Sequence, residues 1–110
     1  MENPFREEKN ILKDQFKLIL VENEFKMGQW VKGFGIEDSK GNVILPLMDS
    51  FNLNDFAEAE NVLRVHFCVY PNREPEYIAD INPANGTFVY EYEEFILQDF
   101  ETIFKKLLDK

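Results

Sequence analysis

The chain is poor in the residues that chemistry usually requires. Among its 110 residues there is one cysteine, Cys68, and one histidine, His66. A lone cysteine excludes an intrachain disulfide and is compatible with a reducing compartment. A structural zinc site takes about four Cys or His ligands, which this chain cannot supply. A calcium loop needs closely alternating acids and a glycine at its sharp turn. The nearest approach, DSFNLNDFAEAE at 49–60, has scattered acids and no glycine. Serine is scarce too, with only Ser39 and Ser50. Gly33-Phe34-Gly35 is not followed by the Lys-Ser/Thr of a phosphate loop, and no helix is expected to open there. No metal and no cofactor are expected.

Long apolar runs are also missing. The longest candidate, FKLILV at 16–21, is interrupted by Lys17 and falls far short of the ~20 residues that span a bilayer. The first ten residues, MENPFREEKN, are polar where a secretory leader carries an apolar core. The expectation is a soluble, cytoplasmic protein without membrane contact.

Positive charge is scarce over much of the chain. Residues 41–104 hold twelve acids against Arg64 and Arg73, whereas residues 1–40 hold eight acids and seven bases. The formal net charge is −9. Such a field repels nucleic acid and anionic membranes and attracts cationic partners, so direct nucleic-acid binding is not expected.

Against these absences stands an abundant core. Hydrophobic residues make up 45% of the chain and eleven residues are phenylalanine, enough for one domain over 1–110 without disulfide staples. Asn3-Pro4 reads as a helix start. Phe5, Leu12, Phe16 and Ile19 then share one helical face, flanked by Ile11 and Leu20. The spacing predicts a helix over about 4–22, although FKLILV also fits a strand. QWVKGFGIED and NVILPLM flank the turn residues 38–42 and predict a hairpin, with Pro46 at a sheet edge or bulge. In LRVHFCVY (63–70), Leu63, Val65, Phe67 and Val69 alternate with Arg64, His66, Cys68 and Tyr70. EYIADI (76–81) and TFVYEY (87–92) complete a three-stranded meander around a turn at Asn85-Gly86. Ile96, Phe100, Ile103, Phe104, Leu107 and Leu108 trace a helical stripe, with lysines in the last turns. Residues 49–61 read either as a short helix or as an ordered loop. The expected fold is therefore α+β, ordered α-β-β-(α)-β-β-β-α: an antiparallel sheet of about five strands with N- and C-terminal helices on one face.

Catalysis has little support. His66 and Cys68 share a strand face, but positions i and i+2 lie ~6.6 Å apart along a strand, while a working thiol–imidazole pair is in hydrogen-bond contact at roughly 3 Å. Glu91 and Glu93 are expected to alternate on one strand face with Asp80 on the partner strand, a grouping of carboxylates to be expected by coincidence with twenty-one acids. No catalytic residue is assigned.

What remains is surface. Aromatics interleave with acids at Asp49, Phe51, Asp55, Phe56, Glu58 and Glu60, and again at Tyr90, Glu91, Tyr92 and Glu93. Aromatic side chains anchor interfaces, and charges around them set partner choice and association rate. These ten residues are the expected partner-binding set. The pattern points to a non-enzymatic inhibitor or immunity-type protein that neutralises a basic protein such as a toxin or nuclease, as a monomer or homodimer. The alternative is an acidic homodimer of the secretion-chaperone kind, binding an effector segment.

Overall fold

Within residues 16–24, FKLILVENE, positions 18–21 are consecutively apolar. Leu18, Ile19, Leu20 and Val21 are all buried, as in a strand covered on both faces. A computed structural model, which describes residues 5–24, 30–48, 51–70 and 75–108, places them in strand β2 (Phe16–Glu24). β2 pairs antiparallel with β1 (Phe5–Ile11), Arg6 opposite Val21 and Ile11 opposite Phe16. The helix expected over about 4–22 is thus a β-hairpin. A short apolar run buried on both sides imitates a helical face, and periodicity cannot separate the two. The connection is a turn in which Leu12, Lys13 and Asp14 take positive φ values of 53, 60 and 65°.

β3 (Trp30–Asp38) and β4 (Val43–Met48) form the anticipated hairpin and complete a four-stranded meander, β1-β2-β3-β4. Asp38 shapes its turn by accepting hydrogen bonds from the backbone N–H of Lys40 (2.9 Å) and of Asn42 (2.8 Å). The β3–β4 register jumps from Phe34 opposite Met48 to Ile36 opposite Leu45. The extra residue falls at Pro46-Leu47, so Pro46 does mark a bulge in an edge strand.

The 49–61 stretch is neither helix nor loop where it is described. Phe51–Ala59 is strand β5, paired with β6 (Val62–Val69) from Phe51 opposite Val69 to Ala59 opposite Val62. A register shift between Leu53 and Asp55 broke the alternation that would have identified it. β7 (Tyr77–Asn82), β8 (Thr87–Tyr90) and β9 (Glu93–Ile96) follow in a second meander, β5-β6-β7-β8-β9. TFVYEY therefore turns at Glu91-Tyr92 instead of running on, and Ile96 ends a strand instead of starting the helix. A 3-10 turn at Leu97–Asp99 leads into helix α1 (Phe100–Leu108). The α+β expectation with helices at both ends is overturned: the chain is mostly β, two antiparallel sheets and one short C-terminal helix. Among the described residues no helix is long and apolar enough to cross a membrane.

One apolar cluster joins both sheets and the helix. At its centre Phe34, Phe51, Phe67, Phe88, Phe100 and Phe104 are fully buried. The helix rings reach both sheets, with Phe100 6.0 Å from Phe34 and 4.8 Å from Phe88, both edge-on. Such pairs are worth roughly 0.5–1.5 kcal/mol each beyond the area they bury. The sheets also meet along β5. Asn52 Oδ1 accepts from the N–H of Lys32 in β3 (3.0 Å), and Glu58 Oε1 accepts from the N–H of Leu12 (2.7 Å). Because α1 packs on the inner face of the five-stranded sheet, the outer face of that sheet carries no helix among the described residues.

Candidate interaction surface

The two sheets divide the charge unequally. Residues 5–48, which build the first sheet, contain seven acids and seven bases. Residues 51–96, which build the second, contain nine acids against Arg64 and Arg73, a net of −7. Among the described residues Arg64 is the sole Lys or Arg of the second sheet. Its guanidinium is already engaged: Nε and Nη2 donate to the two carboxylate oxygens of Asp80 at 2.7 and 3.1 Å. That hydrogen bond and the adjacent negative charge raise the Arg64 pKa further.

Alternation and register define the outer face of this sheet. One row runs Ala57–Arg64–Asp80–Val89–Glu94, and the next runs Asp55–His66–Ile78. Ile78, Val89 and Ile96 are exposed apolar residues on it. These three were missed in the sequence, although the period of two that points Tyr77 and Phe88 inward necessarily points Ile78 and Val89 outward. His66 Nδ1 lies 3.5 Å from Glu76 Oε1, and Asn54 Nδ2 donates to Glu76 Oε2 at 2.9 Å. The same amide reaches Cys68 Sγ at 3.4 Å. Cys68 is only 4% exposed, which makes it a poor nucleophile for a substrate in solvent. No group of three or more potential metal ligands occurs among the described residues.

The ten residues singled out in the sequence do not share one patch. Asp49 lies outside the described residues. Phe51 is fully buried in the central cluster, and Phe56 and Tyr90 are half-buried against it. They are core residues rather than anchors, because the register turns each toward the inner face. Asp55, Glu58 and Glu60 lie on or just after β5, while Glu91, Tyr92 and Glu93 lie at the β8–β9 turn. These are opposite edges of the sheet, four strand spacings or about 19 Å apart along it.

The two edges also differ in what surrounds them. Asp55 shares a groove of about 210 Å³ with Lys9 and Lys32 of the first sheet, alongside Glu7 and Phe56. Glu58 is committed to the Leu12 N–H. The β5 acids are therefore partly offset by neighbouring cations and partly structural. At the other edge Glu91, Glu93 and Glu94 are exposed, and β8 and β9 carry no base. Tyr90 sits beneath them with its ring edge-on to Phe104 at 5.0 Å and to Tyr77 at 5.9 Å. Burial, then the Glu91 carboxylate, then Tyr77 push the Tyr90 phenol above its ordinary pKa. No protein family, curated protein or solved structure matches this chain.

Proposed function

We propose that the chain is a non-enzymatic protein-binding domain of the inhibitor or immunity kind, which neutralises a basic protein such as a toxin or nuclease. The docking surface is the outer face of the five-stranded sheet, on which no helix packs among the described residues, from the Arg64–Asp80 pair to the β9 edge. The observation that carries the reading is the segregation of charge. The second sheet holds a net −7 with its one described cation already paired, while exposed Ile78, Val89 and Ile96 sit among the acids. Carboxylates of this kind speed encounter with a cationic partner, and apolar groups between them hold the docked complex. The site of action is the cytoplasm, where a single thiol stays reduced.

The test is to isolate the partner by cross-linking, purify it, and titrate it against charge-reversed variants. Glu94→Lys, in the outer row opposite Val89, should weaken binding severalfold and flatten its salt dependence. Glu7→Lys, on the four-stranded sheet, should leave both nearly unchanged. Equal effects from the two sheets would reject the proposed face. Glu58 is unsuitable for reversal because it holds the Leu12 turn.

A further inference from the structure

We propose that Tyr92 is the aromatic anchor of this surface, presented on the β8–β9 turn for insertion into an arginine- or lysine-lined cleft of the partner. The inference rests on the docking reading above and assigns its central contact. Tyr92 is 104% exposed, more than any other large hydrophobic residue described, and it makes no described ring contact or hydrogen bond. Its backbone is nonetheless held in an unusual conformation. Tyr90 pairs with Glu93 across a two-residue turn in which Glu91 has φ 51° and Tyr92 φ 68°. Turns with positive φ at both central residues favour Asn-Gly or Asp-Gly, and a bulky residue there is an outlier.

The turn at Leu12–Asp14 shows what such a conformation looks like when the fold uses it. Leu12 is buried and its N–H is bonded to Glu58. At Tyr92 no comparable intramolecular return is found. Folding alone would favour Asn or Gly at this position, so the ring serves something outside the domain. Its setting indicates what. Tyr90, two residues earlier, is packed on Phe104 and Tyr77 and fixes the base of the hairpin, so the backbone of the turn that presents Tyr92 is anchored. Glu91 and Glu93 flank it in the chain and Glu94 follows, all exposed, with no base on either strand. An exposed aromatic in an acidic turn without bases suits a guanidinium or ammonium group, which can stack on the ring while the acids nearby in the chain supply opposite charge. Tyrosine is also among the residues that most often dominate binding energy at interfaces.

The probe is nona-arginine, titrated into the isotopically labelled protein at low salt and followed by amide chemical shifts. Expected are saturable shifts centred on residues 91–94, about threefold weaker binding for Tyr92→Asn, and retained binding for Tyr92→Phe. In a thermal melt of the free protein Tyr92→Asn should raise the melting temperature by about 4 °C. Saturable shifts centred on Asp80 and Val89, with 91–94 silent, would remove the anchor and leave the docking face intact. Shifts of equal size around both sheets, or none that saturate, would remove both. A lower melting temperature for Tyr92→Asn would show that the ring serves the fold and would overturn the inference.

Discussion

The backbone N–H of Leu12 donates to Glu58 Oε1 across the two sheets, at 2.7 Å. Leu12 begins three consecutive residues with positive φ, a conformation that costs roughly 1–2 kcal/mol for each non-glycine residue. The carboxylate satisfies a donor that the tight turn leaves without a strand partner, and it ties the first hairpin to β5. Replacing Glu58 with Ala should destabilise the protein by about 1.5 kcal/mol, read as a fall in Tm of roughly 5 °C or more. Glu58→Gln keeps an acceptor and should recover much of the loss.

Gly35 lies where the β4 backbone passes close against β3. A Cβ there would stand 2.8 Å from Leu47 N and 2.9 Å from Leu45 O. Both are backbone atoms of the bulged strand, so neither can rotate away. Gly35→Ala should cost about 2 kcal/mol or more, as overpacking does in a filled interior. Gly41, at φ 89° with open space around its missing Cβ, isolates the conformational term. Gly41→Ala should cost about 1 kcal/mol. Chemical denaturation of the two variants compares crowding with backbone strain directly. A Gly35→Ala no worse than Gly41→Ala would mean that β4 shifts freely.

How much of this was legible in the residues follows from which signals compete. Alternation in Leu63–Val69 identified β6 and its inward face, because one side of that strand is almost wholly apolar. The turn at 38–42 located β3 and β4 through Asp38 and Gly41. The first hairpin was hidden because Leu18, Ile19, Leu20 and Val21 are buried on both faces, which removes the period of two. β5 was hidden by its bulge near Asn54, and β9 by a turn built from Glu91 and Tyr92, residues that do not signal turns. The acidic character of 51–96 was plain in the sequence. That Phe51 and Phe56 point inward while Tyr92 points out needed the strand register, since an aromatic beside acids looks the same in either role.

Asp38 gives the hairpin a pH dependence of known sign. Its pKa lies below the ordinary value of 3.8, chiefly through the Asn42 side-chain amide, then the Asn42 and Lys40 backbone N–H groups. A carboxylate depressed in the folded state adds stability that is present above the unfolded value and lost as pH falls through the folded one. Thermal melts of the protein and of Asp38→Ala should therefore be separated at pH 6, and the separation should narrow below about 3.8. A gap that stays constant down to pH 2 would mean that the three hydrogen bonds do not favour the ionised form.

Arg64 distinguishes a field effect from a contact. Its pairing with Asp80 has good geometry but lies at the exposed surface, where ion pairs contribute about 0–1 kcal/mol. Arg64→Ala should therefore leave Tm close to that of the parent. It also removes the one described cation of the second sheet, frees Asp80, and takes the charge of residues 51–96 from −7 to −8. If the sheet attracts its partner through the summed potential, affinity for a cationic protein should rise severalfold at low salt. The gain should fade toward 1 M salt, where the screening length contracts to about 3 Å. Weaker binding of Arg64→Ala at every salt concentration would make Arg64 itself a contact residue. The partner would then have to present an acceptor to it, and a uniformly basic docking surface would be the wrong description.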